Sequence, residues 1–292
     1  MTSELTHTWL SFHIRRDESM DRMIRECVLP ISKYRGIERW FFLRYWEAGP
    51  HLRFRIYVHK QQAAEISERI MTFFREWIRN NPDEIRWTSD LYNKIAMNLA
   101  RREGIAQEKV GKFRPSGDIW TQDYNPEIDK YGTEISMEAF EEHFEDSSIL
   151  AGEILEKSID TEMKLQIAGA ILLESLSSFM ETSKSLEMVS SVFTSRWGDD
   201  YETPSFEFVN RSYIRQQLEG NKNHSYLLER WSQTFDHLND ALTLIGWGKE
   251  RRVSGLDNVA HLFCNRIGLT IIEEVMIRKS IFDAASHYYE EN

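Results

Sequence analysis

The sequence has few cysteines, glycines and prolines, which restricts the classes of protein it can belong to. Its 292 residues include only two cysteines, Cys27 and Cys264, which stand far apart and in no metal-type spacing. That pattern argues against a disulfide framework or a structural zinc site and predicts a reduced, cytoplasmic setting. There are only 14 glycines and 6 prolines, so the composition is that of a folded globular protein rather than a disordered one.

Basic residues and long apolar runs are also scarce. The formal net charge of −11 argues against direct binding of nucleic acids or anionic membranes, because such proteins carry a basic excess. No apolar run is long enough to span a bilayer, and the N-terminal residues show no secretory signal. Metal-binding spacings and glycine-rich phosphate loops are absent as well. We therefore expect no metal, no cofactor and no membrane association, and any basic site must be local.

The most unusual stretch is a short predicted strand at residues 51–58, which follows the turn-forming pair Gly49-Pro50. Because side chains alternate between the two faces of a strand, its basic residues share one face. These are His51, Arg53 and Arg55. Guanidinium groups match carboxylate and phosphate oxygens in bidentate geometry, so this basic row could bind an anion. The alternative is a solvated strand face with ordinary salt bridges.

The first part of the chain predicts a mixed α and β fold. Strands are expected at 8–14, 40–45 and 51–58, with amphipathic helices at 17–29, where Pro30 should end the helix, and at 63–78. This order favours an α+β class with a small, mostly antiparallel sheet and covering helices. Between this part and the second half the pattern is weak, apart from a helix within 94–112 and a structured loop at 122–133.

The second half reads as a helical bundle. Apolar residues recur at helical spacing in five segments: 138–157, 160–182, 185–197, 223–245 and 254–289. Asp160 and Ser254 stand where N-caps are expected. We predict one domain over 1–292, with an α+β part at 1–135 and a helical part at 136–292. The apolar helices leave room for a homodimer surface.

The last predicted helix contains a second candidate for chemistry. His261 and Asn265 are four residues apart and share one helical face. The imidazole could serve as a general base in a pocket, or it could be a helix histidine buried against the bundle. Cys264 beside it is better interpreted as a packed, inert thiol than as a nucleophile, given its apolar surroundings.

Several motifs, taken in order along the chain, resemble one known family. Residues 9–14 and 40–55 resemble strands of the C-terminal domain of class I lantibiotic dehydratases, which also occurs alone in thiopeptide-type bacteriocin biosynthesis proteins. Residues 124–132 resemble its Tyr-x-x-Glu-x-x-Arg-Tyr-Gly-Gly segment, and residues 141–148 resemble the helix that follows it. Residues 261–267 resemble its His-Met-x-Cys-Asn-Arg-Leu motif. The resemblance covers essentially the whole chain.

The resemblance implies an enzyme that modifies ribosomally synthesised peptides. In the family, a separate domain or protein esterifies Ser or Thr of a precursor peptide with glutamate from glutamyl-tRNA. The C-terminal type of domain then eliminates glutamate, leaving dehydroalanine or dehydrobutyrine. The implied partners are therefore a glutamylated precursor peptide and a separate tRNA-dependent glutamylating protein, since this chain has no room for the glutamylating part.

The resemblance also implies roles for particular residues. His261 would act in elimination with Arg53 and Arg55, which would hold the departing glutamate. Arg44 on the neighbouring strand could extend the basic site, and His51 is a reserve candidate for proton transfer. The remaining expected substrate-binding residues belong to the matching motifs: Lys130, Tyr131, Asn265 and Arg266.

One residue departs from the family pattern. Lys130 stands where the family has arginine, and an ammonium does not replace a guanidinium at a bidentate site. Two alternatives to elimination therefore stay open. Pyridine synthases of thiopeptide pathways use the same fold for a formal four-plus-two cycloaddition and are expected to dispense with the glutamate-binding arginines. A non-catalytic member that only binds peptide or scaffolds a complex is the second alternative. The presence of Arg53, Arg55 and His261 favours elimination.

Overall fold

The computed structural model describes residues 6–18, 20–102, 106, 108, 110–177, 179 and 225–291. The chain divides into two compact units, Met1–Pro126 and Glu127–Asn292. The helix predicted at 185–197 lies outside the described residues.

The first unit is built on a four-stranded antiparallel sheet. Its strands are β1 (His7–Arg15), β2 (Ile37–Tyr45), β3 (His51–His59) and β4 (Ile119–Gln122), in the order β2-β3-β1-β4. This sheet, with the helices around it, confirms the predicted α+β class. β4 was not predicted, because its four residues lie in a segment with no extended pattern.

One face of the sheet is apolar and forms the core of the first unit. Its fully buried side chains are Phe12, Ile14, Phe42, Leu52, Phe54 and Ile56. The helix Ala63–Asn80 (α3) buries its own apolar stripe, and its Phe74 ring lies 6.4 Å from that of Phe54. Each large apolar side chain removed from water contributes about 1.5–3 kcal/mol, so this layer holds the sheet in place.

The helical segment after β1 extends past the predicted end. It consists of α1 (Met20–Met23), a wide π turn at Ile24–Val28 and α2 (Leu29–Ser32). Pro30 does not end it, because Pro30 lies in the first turn of α2, where a missing N–H group costs no hydrogen bond. The fourth helix of this unit, α4 (Ser89–Arg102), begins earlier than predicted.

The second unit is helical in its described residues. Its helices are α5 (Ile128–Tyr131), α6 (Glu134–Glu156), α7 (Thr161–Ser177), α8 (Tyr226–Leu244), α9 (Lys249–Ile267) and α10 (Ile271–Glu291). Trp231 of α8 is fully buried; its ring lies 4.9 Å from that of Phe263, and its indole N–H donates to Ser175 Oγ at 2.9 Å. No described helix is both long and apolar enough to cross a membrane.

The predicted helix at 254–289 is two helices, α9 and α10. Gly268 has a φ of +93° and ends α9, with its N–H and that of Leu269 capping carbonyls of the last turn. A left-handed residue at this position is a common helix terminator. Ser254 lies inside α9 rather than at an N-cap, so that prediction was wrong, whereas Asp160 does accept a hydrogen bond from the Met163 N–H at 2.8 Å.

Candidate active site

The polar face of the sheet carries the predicted basic row. In the antiparallel register of β1 and β3, Arg55 lies opposite Ser11, Arg53 opposite His13, and His51 opposite Arg15. Residues directly opposite in such a ladder project on the same side. The row on β3 therefore continues across β1 as a polar surface, back to back with the apolar core.

A pocket of about 350 Å³ opens on this face. It is lined by side chains from the sheet, from the turn between β2 and β3, and from residues 111–114. Three of these side chains are cationic, Arg53, Lys112 and Arg114, and one is anionic, Glu47. Because Arg114 also pairs with Asp118 at 2.6 Å and Arg53 lies beside Glu47, the excess of positive charge is small, but its sign suits an anion.

The walls of the pocket are fixed by backbone hydrogen bonds. The turn between β2 and β3 contains two residues in the left-handed region, Ala48 at φ +61° and Gly49 at φ +98°. The Ala48 carbonyl accepts from the Arg114 N–H at 2.9 Å. The Tyr92 hydroxyl accepts from the Ala48 N–H at 2.8 Å and donates to the Gly111 carbonyl at 2.7 Å. These bonds join the turn to residues 111–114.

A chain of hydrogen bonds runs beneath the pocket and fixes two histidine tautomers. His51 Nδ1 lies 3.0 Å from the Gly49 carbonyl, which can only accept, so Nδ1 carries the proton. His51 Nε2 then accepts from His13 Nδ1 at 3.1 Å. His13 Nε2 in turn accepts from the Ser11 hydroxyl at 3.3 Å. Both imidazoles are neutral in this arrangement.

The environment of these two rings keeps them neutral. Burial, followed by the nearby His51 ring and Arg53, lowers the pKa of His13 to about 2. Burial lowers the pKa of His51 to about 3, against the opposing effect of its bond to the Gly49 carbonyl. His51 was a reserve candidate for proton transfer, but it is fully buried and both of its ring nitrogens are occupied. Its Nε2 accepts from His13 Nδ1 and so restricts the orientation of that ring.

The two arginines of the row are held by aromatic rings. The Arg53 guanidinium lies 3.4 Å from the centre of the Tyr45 ring, and that of Arg55 lies 4.6 Å from the centre of Tyr124. Stacking of this kind restricts a guanidinium while leaving its edge for hydrogen bonds. Arg53 also lies 3.4 Å from Glu47, a long distance for an ion pair.

Arg44 does not extend the basic row. It lies opposite Leu52 in the register of β2 and β3, which places it on the apolar side of the sheet. Its guanidinium donates to Asp21 at 2.6 Å. The sequence predicts that Arg44 lies on the neighbouring strand. It does not give the register between the strands, which decides on which face of the sheet the side chain lies.

His261, in the helical unit, is paired with a carboxylate. Its Nδ1 donates to Glu274 Oε2 at 2.7 Å, and the other oxygen of Glu274 accepts from Arg278 Nε at 2.9 Å. Arg278 also forms an ion pair with Asp257. Burial would raise the pKa of Glu274, but the charges of His261 and Arg278 lower it to about 2. The hydrogen bond from Nδ1 to Glu274 fixes the orientation of the imidazole.

The motif residues around these positions have mainly structural contacts. The Tyr131 hydroxyl accepts from Asn258 at 2.7 Å in the core of the helical unit. Arg266 is fully buried and donates to Ser148 Oγ at 3.0 Å. Lys130 is exposed and lies 3.7 Å from Glu127, and Asn265 is half-buried, with its carbonyl capping α9. Tyr131 and Arg266, both expected to bind substrate, are buried within the helical unit.

The remaining chemical candidates do not form a further centre. Cys264 is fully buried, and burial raises the pKa of its thiol well above the usual value, as expected of an inert thiol. Among the described residues, no three acidic, histidine or cysteine side chains are grouped so as to hold a metal ion.

Sequence reasoning missed several residues of the pocket. Alternation along β1 indicates that His13 and Ser11 share a face, but only the strand register brings His13 to His51. Glu47 and Trp120 come from a turn and from the unpredicted strand β4. The partner of His261, Glu274, lies beyond the helix break at Gly268 and has no sequence signal.

A sequence model described as lantibiotic biosynthesis dehydratase C-term matches residues 9–288, so the chain belongs to that family. The family predicted from the motifs is thereby confirmed, and membership supports a role in tailoring ribosomally synthesised peptides. No curated protein sequence matches the chain.

Solved structures with the same fold include the following three. A pyridine synthase, TbtD, from thiomuracin biosynthesis has a TM-score of 0.72 at 18% identity, covering 98% of this chain and 100% of that one. MibB, a tRNA-dependent lantibiotic dehydratase from Microbispora sp. 107891, has a TM-score of 0.58 at 17% identity. That match covers 97% of this chain but only 28% of MibB. TsrL has a TM-score of 0.55 at 12% identity, covering 98% of this chain and 96% of that one.

Proposed function

We propose that this protein eliminates glutamate from glutamylated Ser or Thr residues of a precursor peptide. A base removes the α-proton of the modified residue, the electron pair forms the Cα–Cβ double bond, and the Cβ–O bond breaks. Glutamate leaves as a carboxylate, and the peptide retains dehydroalanine or dehydrobutyrine. The step balances with a proton acceptor alone, so the residues required are a base and a site for the leaving anion.

The observation that carries the proposal is the pocket beside the basic row. Arg53 lines it with Lys112 and Arg114, over imidazoles that stay neutral and therefore add no competing charge. Arg55 stands next in the row on the same face. Hydrogen bonds to an anion from charged donors contribute about 1.5–3 kcal/mol each. A group that develops negative charge as it leaves is the ligand this site suits.

His261 is the base in this proposal. Its pairing with Glu274 holds the imidazole in one tautomer and stabilises the imidazolium that forms when Nε2 accepts the α-proton. The same arrangement, a histidine oriented by a buried carboxylate, serves general bases in other enzymes. The family motif around residue 261 supports this assignment.

The proposed substrate is a glutamylated peptide. MibB, of which this chain matches 28%, is described as tRNA-dependent, and we propose that a tRNA-dependent partner glutamylates the precursor peptide. The protein described here would then receive a glutamylated peptide and return a dehydrated one.

A pyridine synthase activity is the second candidate. It is supported by the similarity to TbtD, which covers 98% of this chain and 100% of that one. A cycloaddition between two dehydroalanines releases no glutamate, however, and gives no reason for a stacked arginine row on a pocket with net positive lining. Elimination uses that row directly, so we favour it.

The two candidates, and a non-catalytic binding role, are separated by one experiment. Purified protein is incubated with a peptide carrying an O-glutamyl serine and, separately, with a peptide carrying two dehydroalanines; products are read by mass spectrometry. Elimination predicts loss of glutamic acid from the first peptide and no change in the second. Ring closure in the second peptide alone would assign a synthase, and binding of either peptide without change would assign a scaffold.

A further inference from the structure

The pocket contains one feature that an anion alone does not explain, the carboxylate of Glu47. Glu47 Oε1 accepts from the Gly111 N–H at 3.0 Å, so the side chain is anchored within the first unit. Its other oxygen lies 3.4 Å from Arg53 Nη2, and the side chain is 25% exposed. A carboxylate at the mouth of a cationic pocket weakens the binding of a simple anion, since like charges repel.

The proposed substrate supplies a reason for that carboxylate. Glutamate taken from tRNA is attached through its α-carboxyl group, because that is the group that tRNA esterifies. The glutamyl ester therefore presents two free charges, a γ-carboxylate and an α-ammonium next to the scissile bond. A pocket with cations only would bind the first and repel the second.

We propose that Glu47 is a specificity-determining residue that binds the α-ammonium of the glutamyl group. This inference rests on the proposed elimination function. Because Glu47 Oε2 and Arg53 Nη2 are 3.4 Å apart, Oε2 can accept a hydrogen bond from a second donor. The Arg53 guanidinium can likewise turn toward a carboxylate. One oxygen of Glu47 stays on Gly111 while the other faces the ligand.

Glu47 also has a structural contact, which the test must separate from substrate recognition. Glu47→Gln keeps an oxygen for the Gly111 N–H and has nearly the same shape, but it removes the charge. Glu38→Gln is the matched control, because Glu38 is an exposed residue of β2 whose partner is His7. Neither belongs to the proposed base or to the arginine row.

The measurement compares two synthetic esters of one seryl peptide. One carries the glutamyl group, and the other carries a glutaryl group, which lacks only the α-amino group. We expect the wild type to eliminate the glutamyl group about tenfold or more faster in kcat/KM. Glu47→Gln should lose this preference by slowing only on the glutamyl ester, and Glu38→Gln should keep it.

Calorimetric binding of free glutamate and glutarate gives a readout that does not depend on turnover. The wild type should bind glutamate more tightly, and Glu47→Gln should bind the two equally. If the wild type eliminates both esters with the same kcat/KM, or if Glu47→Gln keeps the preference, the proposed role of Glu47 is wrong. The proposed elimination function is not affected by that result. If neither ester reacts, elimination itself fails, and equal binding of the two free acids would then overturn the role of Glu47 as well.

Discussion

The histidines of the two units lie in different electrostatic environments. In the sheet unit, His13 and His51 lie among arginines, form hydrogen bonds to each other and to a carbonyl, and are held neutral. In the helical unit, His261 faces the carboxylate of Glu274, which stays ionised because a cation is beside it. Burial and nearby guanidiniums oppose protonation of His13 and His51, whereas a carboxylate orients the ring of His261.

This difference separates two tasks that elimination requires. A neutral floor under a cationic pocket suits an anion, and the cations of this pocket are two guanidiniums and one ammonium. A histidine oriented by a carboxylate suits proton transfer. Under the proposed function, Arg53 and its pocket bind the departing glutamate and His261 removes the proton, and each role can be tested by itself.

The largest effect is expected from the helical unit. His261→Asn removes the proposed base but keeps a side chain that can donate to Glu274, so the fold should persist. We expect kcat for glutamate elimination to fall by about a thousandfold, the range of general base catalysis. Peptide binding should change little, which a fluorescence titration checks. A variant that retains normal kcat would show that the base is elsewhere.

A substitution in the arginine row should have a smaller effect than the substitution of His261. The effect should be confined to arginines on one face of the sheet. Arg53→Ala removes a charged donor from the pocket, so we expect kcat/KM to fall about tenfold to a hundredfold. Arg44→Ala is the matched control, because Arg44 lies on the opposite face and pairs with Asp21. The steady-state kcat/KM of this control should stay within about twofold of the wild-type value. Equal losses in both variants would contradict the assignment of the pocket.

The ion network around His261 should make the protein sensitive to acid. The pKa of Glu274 is about 2 in the folded state, below its usual value near 4.5. A carboxyl with a lowered pKa stabilises the fold above its unfolded pKa, and this contribution is lost as pH falls toward the folded pKa. We expect Glu274 to contribute on the order of 3 kcal/mol at pH 7.

Denaturant unfolding at several pH values tests this expectation. The wild type should lose this contribution to its free energy of unfolding between about pH 4.5 and pH 2. Glu274→Gln should be less stable at neutral pH, and its free energy of unfolding should change less across that range. Glu250→Gln, at an exposed position of α9, is the control. Parallel stability curves for wild type and Glu274→Gln would contradict the role of the network.

Much of the fold follows from local patterns in the sequence. Alternation along residues 51–58 places Arg53 and Arg55 on one face because a strand has a period of two, and the structure has them there. Helical periodicity finds most helices of the second half. The break at Gly268 could have been recognised from glycine after the last helical turn, but the continuous apolar pattern concealed it.

The site depends on contacts that local patterns do not contain. The register between β1 and β3 decides that His13 meets His51, and the register between β2 and β3 decides that Arg44 turns away. Glu47 reaches Gly111 across 64 positions of the chain. Pairings of this kind come from tertiary packing, so the sequence supplies candidates and the fold selects among them.

The most direct test of the central assignment is a single-turnover measurement of glutamate release. A peptide with an O-glutamyl serine is mixed with excess wild-type protein or with the double variant Arg53→Ala/Arg55→Ala, and free glutamate and dehydroalanine are followed together. We predict release of both in equal amounts by the wild type, and at least about a hundredfold slower release by the double variant. No dehydroalanine from the wild type, or equal rates for both proteins, would contradict the account.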